Sequence, residues 1–193
     1  MTKIILASAS PRRQELLKQI GLTFEVVTSS VEEKITPGIS PAEVVKELSF
    51  LKARDIADQI DEPAIIIGAD TIVVFEDKIL GKPKDQEEAL YMLNTLSGKE
   101  HQVFTGLSVI DNKGNKVVSG YECTKVTFRQ LNNYEITQYI KTGEPMDKAG
   151  SYGIQNIGSL FVSKIDGDYF NVVGLPVAKL ALVLRDEFGI AIL

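Results

Sequence analysis

The chain has 193 residues, 44% hydrophobic and 24% charged, with a formal net charge of −5. That balance excludes a mostly disordered protein, and a domain of this size buries roughly 70% of its unfolded surface. A single cysteine and a single histidine exclude an internal disulfide and a structural zinc cluster, and 26 acidic against 21 basic residues argue against general nucleic-acid binding.

The opening MTKIILASASPRR carries its apolar run ahead of its arginines and is too short for a signal h-region. No stretch approaches the ~20 apolar residues of a membrane span, so a cytoplasmic chain without membrane association is expected. Strands are predicted at 3–7, 23–27, 64–75, 102–110, 116–128 and 159–165, and helices at 11–20, 41–59, 85–96, 132–142 and 175–188. Asp111-Asn-Lys-Gly-Asn115 reads as a hairpin turn, and Glu76-Asp77-Lys78 as a weaker one. Helix–strand alternation followed by a hairpin of long strands predicts a mixed sheet flanked by helices. The segment 143–158, with four glycines and no periodicity, is a long loop of the kind that usually carries function.

Several chemistries drop out by inspection. A Cys–His or Ser–His pair would need His101 or Cys123, and both sit in alternating, strand-like stretches where packing is the simpler role. No G-x-G-x-x-G follows a strand, Gly98-Lys99 lacks the rest of a P-loop, and Gly106-Leu107-Ser108 lacks the closing glycine of a nucleophile elbow. Carboxylates, lysines, arginines, hydroxyls and a hard metal ion remain.

The most informative stretch is Ala7-Ser8-Ala9-Ser10-Pro11-Arg12-Arg13. Ser10 suits an N-cap and Pro11 the first helical position. Arg12 and Arg13 do not suit the electropositive end of a helix, where cations cost up to about 1 kcal/mol each. An anion docked there resolves the conflict: backbone N–H groups, the Ser8 and Ser10 hydroxyls and two guanidiniums together suit phosphate. The alternative is an arginine pair snorkelling outward.

Asp70 interrupts the apolar run 64–75, where an unpaired buried carboxylate would be costly. Gly68 suggests a bulge or a close approach of the backbone to a ligand, so a strand break with Asp70 at the mouth of a cleft is expected; an ordinary bulge whose Asp caps nearby N–H groups is the alternative. Lys52, Glu33 and Lys82 (in Leu80-Gly81-Lys82-Pro83) read singly as solvated residues. Taken together, Arg12, Arg13, Lys52 and Lys82 could neutralise a polyphosphate, while Asp70 and Glu33 hold a divalent cation or activate water, the kit of phosphoanhydride hydrolysis.

ASASPRRQELL, GADTIV, LGKP, EPMDKAGSYGIQ and KIDGDYFNVVGLP, in order along the chain, resemble the Maf family of nucleoside-triphosphate pyrophosphatases. The resemblance implies an α/β fold with an elongated mixed β-sheet flanked by helices, related to inosine-triphosphate pyrophosphatases. Residues 1–193 would form a single domain with two lobes around a central cleft. It also implies cleavage between the α- and β-phosphates with Mg²⁺ or Mn²⁺, giving a nucleoside monophosphate and pyrophosphate. By resemblance Asp70 is the proton acceptor, Glu33 an acidic site residue, and Arg12, Arg13, Lys52 and Lys82 bind phosphate. The branch acting on dTTP and UTP is marked by Arg12, Thr71 and Gln155, and a glutamine amide can pair with both donor and acceptor edges of uracil or thymine. A homodimer follows from the resemblance alone. Two rival functions share the pocket: a nucleotide-responsive regulator of cell division without hydrolysis, and the same reaction on a modified purine triphosphate.

Overall fold

A computed structural model describes residues 2–36 and 38–193. The elements run β1 (Lys3–Leu6), α1 (Pro11–Gln19), β2 (Glu25–Val26), α2 (Pro41–Ala57), β3 (Ala64–Phe75), β4 (Lys78–Leu80), α3 (Gln86–Leu96), β5 (Glu100–Asp111), β6 (Val117–Phe128) and α4 (Asn133–Lys141). Three 3₁₀ turns follow, at Glu144–Asp147, Ala149–Ser151 and Ile157–Phe161, then β7 (Val162–Asp166), α5 (Tyr169–Val173) and α6 (Val177–Phe188). Among the described residues seven strands form a sheet in the order β2-β1-β3-β5-β6-β7, with β4 also paired to β3. It is mixed: β1 is parallel to β2 and β3, whereas β3/β4 and β6/β7 are antiparallel.

The chain divides into two compact units, Met1–Asp70 with Thr105–Glu122 and Gly174–Leu193, and Thr71–Phe104 with Cys123–Val173. Strands β3, β5 and β6 each contribute residues to both. The first unit is built from two parallel crossovers in which α1 and α2 return the chain to β1's neighbours, and its core joins Ile5, Ile56, Ile66 and Ile110. The second packs Leu93, Leu96, Phe128, Ile136, Tyr139 and Phe161 around the far ends of the long strands.

Differences from the expected elements have local causes. The β3–β4 turn uses Glu76 and Asp77, both at positive φ (47° and 62°), the geometry that a two-residue hairpin requires. The last strand begins at Val162 rather than 159, because Ile157–Phe161 winds into a 3₁₀ turn whose Leu160 and Phe161 carbonyls accept from Arg129. Helix α6 begins at Val177 because Leu175 precedes Pro176, which disfavours helical backbone before it. No strand break occurs at Gly68, and β3 is continuous and almost wholly buried. The glycine makes room for helix α2 instead: a Cβ at position 68 would overlap the Ser49 carbonyl and Ala53.

His101 belongs to the second core. It is 2% exposed, stacks edge-on against Phe128 and Tyr152, and shares a hydrogen bond of 2.8 Å between Nε2 and the Tyr152 hydroxyl. Nδ1 has no hydrogen-bond partner among the described residues, and burial pushes the imidazole's pKa down to about 4. An unfolded histidine titrates near 6.5, so between pH 6.5 and 4 the unfolded chain takes up a proton that the fold refuses. Stability therefore falls as the pH drops through that window, by up to about 3 kcal/mol from this group, and levels off below it. Urea unfolding of wild type and His101→Gln at pH 7 and pH 4 should show a markedly smaller acid loss in the variant; equal losses would assign the effect to other groups.

Candidate phosphate and acid–base site

Two elements of the first unit set up the charged cluster. Helix α1 starts as expected, with Ser10 at its N-cap position and Pro11 leading, but the Ser10 hydroxyl makes no capping hydrogen bond. The Ser10 N–H instead donates to Ser8 Oγ at 3.3 Å. The first turn carries no acidic residue of its own to offset the positive end of the helix.

The two arginines have different roles. Arg13 is buried: its Nε donates to the Gly174 carbonyl at 2.8 Å and its Nη1 to Ser8 Oγ at 3.0 Å, which pins Ser8 and the start of α6's lead-in to α1. Burial pulls the Arg13 guanidinium below its ordinary pKa, Asp70's negative charge opposes that pull, and Arg12's positive charge adds to it. Glu33's negative charge opposes the pull as well, so Asp70, Glu33 and Arg12 all lie within electrostatic reach of one guanidinium. Arg12 itself is half-buried, so the pair does not simply snorkel outward.

Asp70 is 6% exposed and meets the partner that its burial demands. Gly68 and Asp70 lie two residues apart on β3 and so share one face, the face on which α2 rests. Helix α2 presents Lys52 there, between the Ser49 and Ala53 backbone that presses on Gly68. Lys52 Nζ reaches Asp70 Oδ1 at 2.5 Å and Glu33 Oε1 at 2.7 Å. In this structure the ammonium expected to meet phosphate is engaged by two carboxylates, the buried Asp70 and the half-exposed Glu33.

The same geometry tests the metal expectation. Among the described residues no three His, Cys, Asp or Glu side chains gather as a ligand set. Asp70 and Glu33 nonetheless converge on one cationic centre, the Lys52 ammonium, and Mg²⁺ is commonly held by one or two carboxylates with substrate phosphates and water completing its shell. The donor set fits a divalent ion of that kind.

The structure thus brings together Ser8, Arg12, Arg13, Glu33, Lys52 and Asp70. Thr71, Lys82 and Gln155 belong to the second unit. Thr71 follows Asp70 on β3 and is half-buried; Lys82 is exposed after β4; Gln155 is exposed within the glycine-rich segment. The Gly150 N–H donates to the Gly81 carbonyl at 3.0 Å, which ties the Lys82 turn to that segment. Glu144, Tyr139 and Lys148, which hold the segment in shape, gave no signal in the sequence beyond charge and an aromatic in helical register.

Comparisons with known proteins agree with the fold and the motifs. The dTTP/UTP pyrophosphatase of Alkaliphilus oremlandii (strain OhILAs) is 56% identical over 193 residues, covering 100% of each chain. That of Bacillus pumilus (strain SAFR-032) is 54% identical over 190 residues, 98% of each. Among solved structures, a HAM1 protein from Coxiella burnetii aligns with a TM-score of 0.50 at 18% identity, covering 96% of this chain and 100% of that one, a likeness of fold. The family model described as Maf-like protein matches residues 3–187. With ASASPRR at the α1 end and GADT on β3 both inside that match, the chain belongs to the Maf-like protein family.

Proposed function

We propose that this protein hydrolyses the α–β phosphoanhydride of dTTP and UTP, releasing the nucleoside monophosphate and pyrophosphate, in a cytoplasmic setting. The observation that carries the reading is the convergence of Asp70 and Glu33 on Lys52 within electrostatic reach of Arg13, at an α1 N-terminus whose first turn carries Arg12 and Arg13 and no acidic residue. The full-length likeness to dTTP/UTP pyrophosphatases supplies the substrate class.

In this reading the triphosphate lies against the α1 N-terminus, where backbone N–H groups, Ser10 and Arg12 meet its oxygens. Arg13 contributes charge from a fixed position, since its Nε and Nη1 donate to Gly174 and Ser8. Lys52 fixes Asp70 through Oδ1, and Oδ2 takes the proton of the water that attacks the α-phosphorus. The α–β bridging oxygen leaves with the pyrophosphate, its developing charge met by cationic side chains. Lys82 is assigned to the leaving group, and Thr71 and Gln155 to the base, on the family motifs. A divalent ion, Mg²⁺ or Mn²⁺, held by Asp70 and Glu33 supplies Lewis acidity and a more acidic bound water.

Incubating the purified protein with dTTP, UTP, CTP, ATP, GTP and ITP, with and without Mg²⁺ or Mn²⁺, tests this directly. Pyrophosphate should appear from dTTP and UTP, faster than from the others, and only with the metal. Orthophosphate as the product, or nucleotide binding with no product from any of the panel, would overturn the proposal.

A further inference from the structure

A second constructed feature lies in the glycine-rich segment of the second unit. Gln155 is exposed, and backbone N–H groups on both sides of it are taken up by two side chains. The Tyr139 hydroxyl accepts from the Gly153 N–H at 3.2 Å and donates to Glu144 Oε1 at 3.0 Å. The same carboxylate accepts the Gly158 N–H on Oε1 and the Ile157 N–H on Oε2, each at 3.2 Å. Three main-chain donors bracketing Ile154-Gln155-Asn156 thus converge on one phenol and one carboxylate.

The anchor reaches into the core. Tyr139 is 2% exposed on α4 and packs edge-on against Phe161, with ring centroids 4.9 Å apart. Burial, with Glu144's charge adding to it, raises the phenol above its ordinary pKa, so it stays a neutral donor. Lys148 Nζ donates to the Glu144 main-chain carbonyl at 2.7 Å, which steadies the residue from behind. The loop also closes tightly: a Cβ on Gly158 would overlap the Gly153 carbonyl and the Tyr139 hydroxyl.

The chemistry of a glutamine explains why such bracing would matter. Uracil and thymine present an acceptor at O4 where cytosine presents an amino donor. A primary amide offers both a donor and an acceptor, so on a mobile loop it could turn over and satisfy either base. Ordering the loop during folding fixes the backbone from which the amide is presented, so only one orientation can reach the ring, and it spares the entropic cost at binding.

Resting on the reading that Gln155 contacts the base, we propose that Glu144, acting through Tyr139, is a positioning residue that holds Gln155 where it separates uracil and thymine from cytosine. Neither side chain need touch the nucleotide. Glu144→Gln replaces an acceptor oxygen by an amide donor that faces main-chain N–H groups, and Tyr139→Phe deletes the bridging hydroxyl.

The test is steady-state kinetics on UTP and CTP for wild type, Glu144→Gln, Tyr139→Phe and Gln155→Ala, with the metal-loaded protein. The two positioning variants should raise KM for UTP and cut the ratio of kcat/KM for UTP over CTP by about tenfold, while kcat on saturating UTP stays within roughly twofold. Gln155→Ala should lose the same discrimination. If Gln155→Ala loses it and both positioning variants keep it, the bracing role is wrong. If Gln155→Ala keeps it, base reading by Gln155 fails, and the positioning proposal falls with it. Equal losses of kcat on both nucleotides would show a general structural role and would also overturn the proposal.

Discussion

Asp70→Asn lowers kcat on UTP by about 10³-fold or more, the loss expected when a general base becomes a neutral amide. The substitution keeps the shape of the side chain and one oxygen to accept from Lys52, whose Nζ now sits 2.5 Å from Oδ1. Removing the charge leaves the Arg12 and Arg13 guanidiniums, so UTP affinity measured by calorimetry should remain within a few-fold of wild type. The combination separates chemistry from binding, because a residue that only bound phosphate would weaken affinity and a residue that only supported the fold would lower the melting temperature. Near-normal turnover by the variant would remove Asp70 from the role of base.

Lys52→Met has the second large effect, and it strikes stability and activity together. The lysine and Asp70 side chains are 13% and 8% exposed, so deleting the ammonium leaves a buried carboxylate without its cation and beside a second one, Glu33. Breaking a buried pair by removing one partner costs about 3 kcal/mol or more. For a chain of this size that corresponds to a melting temperature lower by roughly 6–12 °C. Catalysis should fall on the order of 10²-fold in kcat/KM as Asp70 loses the contact that orients it. Lys52→Arg, which restores charge with a bulkier donor, should recover stability more fully than activity. A Lys52→Met protein that melts and turns over like wild type would show that the ion pair is incidental.

Much of this site could be read from the chain, and the unread part has a common cause. Ser10-Pro11 announced the start of α1, the hairpins followed from Glu76-Asp77 and Asp111–Asn115, and a carboxylate inside an apolar run marked Asp70, because each of those signals is local. What escaped is carried by contacts between residues far apart in the chain. Arg13 donates to a carbonyl 161 residues away, so its structural share was invisible beside its charge. Lys52 reads as a solvated helix residue until β3 is laid under α2, and only then does its partner 18 residues on come within reach. Glu144 looks like one more polar residue of a loop, since the donors that define it are a phenol on the preceding helix and two main-chain N–H groups 13 and 14 residues on. Gly68 was legible as a close approach but not as an approach of helix to strand, because glycine records that space is needed and not what fills it.

That glycine has a consequence for how the site tolerates change. Where strand and helix touch with no side chain between them, the distance from acid to ammonium is set by two polypeptide backbones. A mutation at position 68 has nothing to delete and can only insert atoms against Ser49 and Ala53, so the reach of Lys52 to Asp70 is guarded by a residue with no side chain of its own.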